Sequence, residues 1–80
     1  MYYLYIVKCK DKTLYTGIAV DLVRRIKEHN SGNLGAKYTK TRRPVKLVYI
    51  KKFRNRATAS RAEYKIKSLS RSKKLRLING

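Results

Sequence analysis

Only four acidic side chains stand against twenty-two Lys and Arg in these 80 residues, so the chain is short of negative charge before anything else. Its formal net charge is +18 and its pI is near 10.6. A domain this small has a net stability of about 5 kcal/mol or a little more, and self-repulsion on that scale favours a polyanionic partner. Nucleic acid is the first candidate. An anionic membrane surface is second, but no segment joins a long apolar face to a basic one. The single cysteine, Cys9, excludes an intrachain disulfide and a cysteine-based zinc cluster, and it fits a reducing interior. Long apolar runs are missing too. The opening YYLYIVKC is too short to span a bilayer and lacks a preceding basic region and a cleavage site, so neither signal peptide nor membrane span is expected and the location is read as cytoplasmic. With no repeat and no low-complexity linker, one domain over residues 1–80 is predicted. Its core is thin, since a chain this short buries roughly 60 to 65% of its unfolded surface.

The stretch YTGIAVDLVRRIKEHN, residues 15–30, brings an aromatic hydroxyl, a glycine, an arginine and the sole histidine into one strand-turn-helix unit. Gly17 lets the backbone turn or approach a ligand, and Asp21 is placed to cap the following helix. On that helix Leu22, Arg25, Ile26 and His29 share an arc of about 100°. The apolar stripe turns inward, taking Arg25 and His29 beside the sheet, where an unpaired charge is expensive. Arg24, Lys27 and Glu28 point the other way by the same geometry, so a partner for Arg25 is sought elsewhere.

Before this unit, Tyr2 to Cys9 reads as a strand, with Leu4 and Ile6 on one face and Tyr3, Tyr5 and Val7 on the other. A tight turn at Lys10, Asp11 and Lys12 makes a hairpin with a second strand over 13–18. After the unit comes SGNLGAKYTKTRRP, whose glycines are expected to end the helix. Its Lys37, Tyr38, Lys40, Arg42 and Arg43 interleave charge with an aromatic, a pattern suited to tracking phosphates and stacking a base. Taken singly, each lysine is an ordinary solvated charge. Residues 45–53 alternate as a third strand, Val45, Leu47, Tyr49 and Phe53 against Lys46, Val48, Ile50 and Lys52. Asn55 can cap a helix from about Arg56, on which Ala59, Ala62, Glu63, Ile66 and Leu69 fall on one arc. Glu63 is thus set into an apolar stripe, although Ser60 and Glu63 also fit a capping box for a later start. Ser70 begins a last short helix that packs through Leu75 and Ile78.

The order strand, strand, helix, basic loop, strand, helix, helix, carrying Tyr5, Tyr15, Gly17, Arg25, His29 and Glu63, resembles the GIY-YIG nuclease superfamily, in particular its small stand-alone bacterial members. Tyr3-Leu4-Tyr5 stands at the first motif and Tyr15-Thr16-Gly17 at the second. Arg25 and His29 stand at the third and Glu63 at the acidic position of the fourth. Tyr3, Leu4 and Thr16 depart from the motif letters while keeping the strands and tyrosines, and the family's C-terminal Asn has only Asn79 as a candidate. The resemblance implies an α+β fold with a small three-stranded antiparallel sheet flanked by helices. It also implies phosphodiester hydrolysis with one divalent metal, Mg²⁺ or Mn²⁺, and a nucleic-acid substrate, DNA ahead of RNA. Monomer, weak dimer and targeting partner protein all remain compatible with it.

Hydrolysis of a phosphodiester needs a base for the water, positive charge on the non-bridging oxygens and stabilisation of the leaving oxygen. The resemblance casts Glu63 as metal ligand, Arg25 as phosphate clamp, Tyr5 as base or proton relay, Tyr15 as donor to phosphate or water, and His29 as assistant. Tyrosine ionises near pH 10, so Tyr5 needs cationic neighbours, which Arg25 and the overall positive field are expected to supply. Three alternatives carry different signs. An Arg25–Glu63 ion pair joining the helices is a purely structural reading. A non-cleaving DNA- or RNA-binding module keeps the fold without the chemistry. A ribosome-associated basic protein fits size and charge but leaves the inward His and Glu unexplained.

Overall fold

Aromatic and β-branched residues at alternating positions put Tyr2–Lys8 into strand β1 and Leu14–Ala19 into β2. The structure is a computed structural model that describes residues 1–31 and 41–79. The turn between β1 and β2 is closed by Cys9 N–H to the Thr13 carbonyl (2.8 Å) and Lys12 N–H to the Cys9 carbonyl (2.9 Å). Lys12 takes the left-handed φ of 69° that this turn requires. The Asp11 carboxylate accepts from both the amide (3.1 Å) and the hydroxyl (2.6 Å) of Thr13, which fixes the register of the hairpin.

The third strand, β3 (Lys46–Phe53), pairs antiparallel on the other side of β1, giving the order β2-β1-β3. Expectation and structure differ inside β3. A bulge opposite Ile6 and Val7 makes Leu47 the partner of Val7 and Tyr49 the partner of Ile6, so Leu47 and Tyr49 lie on opposite faces. One extra residue inverts the alternation on one side of the bulge, which a strict period of two cannot anticipate.

Tyr5 lies opposite Gly17 and Val7 opposite Tyr15, so both tyrosines project from one face of the sheet. Helix α1 (Leu22–Asn30) packs on that face, Leu22 and Ile26 meeting a core of Tyr5, Val7, Cys9 and Val45. Asp21 caps it as expected, accepting from the Arg24 amide at 3.1 Å. The helix ends at Asn30 with Ser31 as cap, immediately before Gly32, the first of the glycines expected to end it, which lies outside the described residues. The Ser31 hydroxyl donates to the Lys27 carbonyl (2.8 Å), and tertiary contacts add to this local cap. The Asn30 amide side chain grips both the N–H (2.6 Å) and the carbonyl (3.2 Å) of Val45, and Arg43 Nε donates to the carbonyl of His29 (2.7 Å).

Leu4 and Ile6, fully buried, face the other way. Helix α2 (Arg56–Lys67) covers that side with Ala59 buried in the contact. Asn55 caps it through the Thr58 amide (2.9 Å), so the later start that would make Glu63 a capping residue does not occur. Helix α3 (Arg71–Asn79) is held to the first turn by Arg71 donating to the Lys12 carbonyl (2.8 Å), with Leu75 and Ile78 half-buried. Among the described residues no helix is long and apolar enough to cross a membrane.

Candidate functional site

The site grows from the cross-strand pair Tyr5 and Gly17. A Cβ on Gly17 would lie 2.5 Å from the Tyr5 hydroxyl oxygen and 2.7 Å from Cζ, so only glycine lets the ring lie over β2. So placed, the hydroxyl sits 2.7 Å from His29 Nε2, in the last turn of α1. Tyr15, two residues along β2 on the same face, meets the imidazole edge-on with ring centroids 5.3 Å apart, and the Tyr5 ring does so at 5.7 Å. Tyr5 and His29 are sealed from solvent while Tyr15 is only half-buried, so Tyr15 is the outward phenol of the three rings.

Arg25 enters from one turn earlier on α1 and stands against the Tyr5 hydroxyl. Its ion-pair partner corrects the expectation from sequence. Glu28 does not point away: its carboxylate takes Arg25 Nη1 at 3.0 Å and Arg24 Nε at 3.2 Å. Helical i,i+3 and i,i+4 spacing allows both bonds. Glu63 pairs instead with Lys67, at 3.4 Å on its own helix, so the proposed Arg25–Glu63 strut is not the pairing found. Glu63 is nonetheless near enough for its negative charge to act on Tyr5, as Arg25 does with positive charge. The two main helices therefore bring opposite charges to one phenol.

Burial dominates the electrostatics. The Tyr5 hydroxyl is pushed above its ordinary pKa of 10 by loss of water, with Arg25 opposing and the negative charges of Tyr15 and Glu63 reinforcing the rise. The expectation that Arg25 and the overall positive field favour the phenolate is outweighed by burial. His29 is pulled down to about 4, first by burial and then by the positive charge of Arg25. At neutral pH the pair is thus a neutral phenol hydrogen-bonded to a neutral imidazole.

Of the basic segment, Lys37, Tyr38 and Lys40 lie outside the described residues. Arg42 pairs with Asp11 at 3.0 Å, and Arg43 caps the carboxyl end of α1. Both therefore have internal partners on the side of the molecule where the segment begins its return. Sequence reasoning missed Asn30 and Glu28, and it missed that Thr16 is buried with a hydroxyl that no group among the described residues satisfies. Asn30 carried no usable signal, since its partner Val45 lies fifteen residues away. Among the described residues no group of three or more His, Cys, Asp and Glu is arranged to hold a metal. A zinc site built from such side chains is not found among those residues, whereas the one partly buried carboxylate at Glu63 suits a hard ion that keeps most of its waters.

A catalytic-domain pattern, the GIY-YIG catalytic domain, matches residues 1–76. A UPF0213 protein of Staphylococcus saprophyticus is 58% identical over 78 residues, covering 98% of this chain and 94% of its own length. One from Clostridium perfringens is 56% identical over 79 residues, covering 99% of this chain and 84% of its own. The solution structure of the UPF0213 protein BH0048 from Bacillus halodurans, 49% identical, superposes with a TM-score of 0.63 over 98% of this chain and 83% of that one.

Proposed function

Because the chain belongs to the GIY-YIG family, we propose that it is a metal-dependent endonuclease that hydrolyses phosphodiester bonds in DNA, with structured or damaged DNA as its substrate class. The observation that carries this reading is the 2.7 Å contact between Tyr5 and His29, set beside Arg25 and within the field of Glu63. A core phenol has no structural need for two charges of opposite sign from two different helices.

In this reading a guanidinium can only donate, so Tyr5 oxygen accepts from Arg25 and its proton is directed at His29 Nε2. As the water oxygen bonds to phosphorus and the bond from phosphorus to the leaving oxygen breaks, the water proton passes to the Tyr5 oxygen, the Tyr5 proton passes to His29 Nε2, and the departing oxygen leaves as an alkoxide that takes a proton from solvent. The relay passes through no free phenolate. His29 is neutral at pH 7 and accepts at Nε2 in the tautomer that carries its hydrogen on Nδ1; with a pKa of about 4 it is a weak base, so it holds the proton only in passing. Arg25 neutralises the non-bridging oxygens, and Tyr15 orients phosphate or water from the open side. Glu63 is the residue that would hold Mg²⁺ or Mn²⁺, and the bound ion supplies positive charge for the leaving oxygen. The net charge of +18 supports a polyanionic substrate, and the balance over DNA or RNA rests on the family alone.

Glu63→Gln is the discriminating variant. Its ion pair with Lys67 is half-exposed and worth less than about 1 kcal/mol, so folding is retained. Cleavage of supercoiled plasmid and branched DNA in Mg²⁺ should disappear while binding, read by gel shift in EDTA, persists. Wild-type protein that binds but cuts neither DNA nor RNA would instead establish the binding-module reading.

A further inference from the structure

Helix α2 carries Glu63 on one flank of its apolar stripe and Arg61 and Lys65 on the other, about 160° round the helix. That second flank faces β3 and closes a cavity of about 340 Å³ lined by Lys51, Phe53, Thr58, Arg61, Ala62 and Lys65. Lys51, Arg61 and Lys65 make no ion pair with a carboxylate among the described residues, in contrast to the paired Arg24, Arg25, Arg42 and Lys67. Phe53 is half-buried in the wall, and Lys51 Nζ stands 5.6 Å from its ring centroid. Three unneutralised cations around one aromatic face make a recess for a group that is both anionic and flat.

We infer that this recess is a second nucleic-acid site, on the side of the molecule away from Tyr5 and His29, that takes one nucleotide of a single strand. The base lies against Phe53 in the place Lys51 now holds, and the flanking phosphates take Arg61 and Lys65. The cavity sits at the small end of the range for ligand sites, which suits one nucleotide and no more. An intact duplex offers phosphates but keeps its bases stacked internally, so it leaves Phe53 unused. An acidic peptide meets the charge but brings no ring. This goes beyond the nuclease reading and does not depend on it, because the readout is binding alone.

The test is fluorescence anisotropy of full-length protein in EDTA, using a labelled short oligothymidine strand and a duplex of equal length, over a range of salt. Arg61→Gln with Lys65→Gln should lower the single-strand slope of log affinity against log salt by about 1.4, two phosphates at roughly 0.7 each. Phe53→Leu keeps an apolar side chain in the wall, and should weaken the single strand about 5- to 100-fold with little effect on duplex. Lys46→Gln with Lys73→Gln, equally exposed and distant from the recess, is the charge-matched control. The inference is overturned if this control lowers single-strand affinity as much as the Arg61 and Lys65 pair does, if Phe53→Leu weakens duplex and single strand alike, or if an acidic peptide displaces the oligothymidine from wild type but not from the Arg61 and Lys65 variant. Should Phe53→Leu not fold, ring-current shifts around Phe53 on adding a thymidine dinucleotide to wild-type protein decide the matter, and their absence overturns it.

Discussion

Acidification isolates His29 better than any substitution, because it is the only histidine and it is sealed in the core. In the unfolded chain it titrates near 6.5, and in the fold near 4. Between those values the unfolded state binds more protons than the native state, so stability falls as pH falls. The contribution is fully present above about pH 6.5 and is lost progressively down to pH 4. At about 1.36 kcal/mol per pKa unit the loss is on the order of 3 kcal/mol, a large share of what holds so small a domain. Urea unfolding followed by circular dichroism at fixed ionic strength should give a flat stability from about pH 6.5 to about pH 8, below the range where the raised Cys9 and Tyr5 begin to matter. Below about pH 6.5 a slope approaching 1.4 kcal/mol per pH unit is expected. His29→Gln should remove that slope while leaving the loss at lower pH that comes from Asp11. Asp11, held below its ordinary range by Thr13 and then by Arg42, titrates beneath the window and does not blur it. Parallel curves for wild type and variant, or an imidazole resonance that titrates near 6.5 in the folded protein, would refute the reasoning.

Two further outcomes follow from contacts around the same rings. Gly17→Ala drives a Cβ into Tyr5 and should cost about 1–3 kcal/mol by urea unfolding, with less than additive cost when combined with Tyr5→Phe, since the hydroxyl is the nearest clashing atom. Asn30→Ala removes both bonds to Val45 and should cost about 1–2 kcal/mol, with faster amide exchange at the carboxyl end of α1 rather than in α2.

The linear order of residues determined which segments became strands and helices, because each carries its own period: two for Tyr2–Lys8, near 3.6 for Leu22–Asn30 and Arg56–Lys67. Caps at Asp21 and Asn55 were legible for the same reason, being contacts within four residues. The motif spacing was also enough to point to Tyr5, Tyr15, Arg25, His29 and Glu63 as a set, but not to how they meet. Whether Tyr5 and Tyr15 share a face depended on hairpin register, and one residue of slip would have parted them. The bulge in β3, the inward turn of Glu28 and the grip of Asn30 on Val45 join positions whose pairing no local periodicity encodes. Protonation states were decided last. Burial is a property of the packed whole, and it left Tyr5 neutral against the pull of its own arginine.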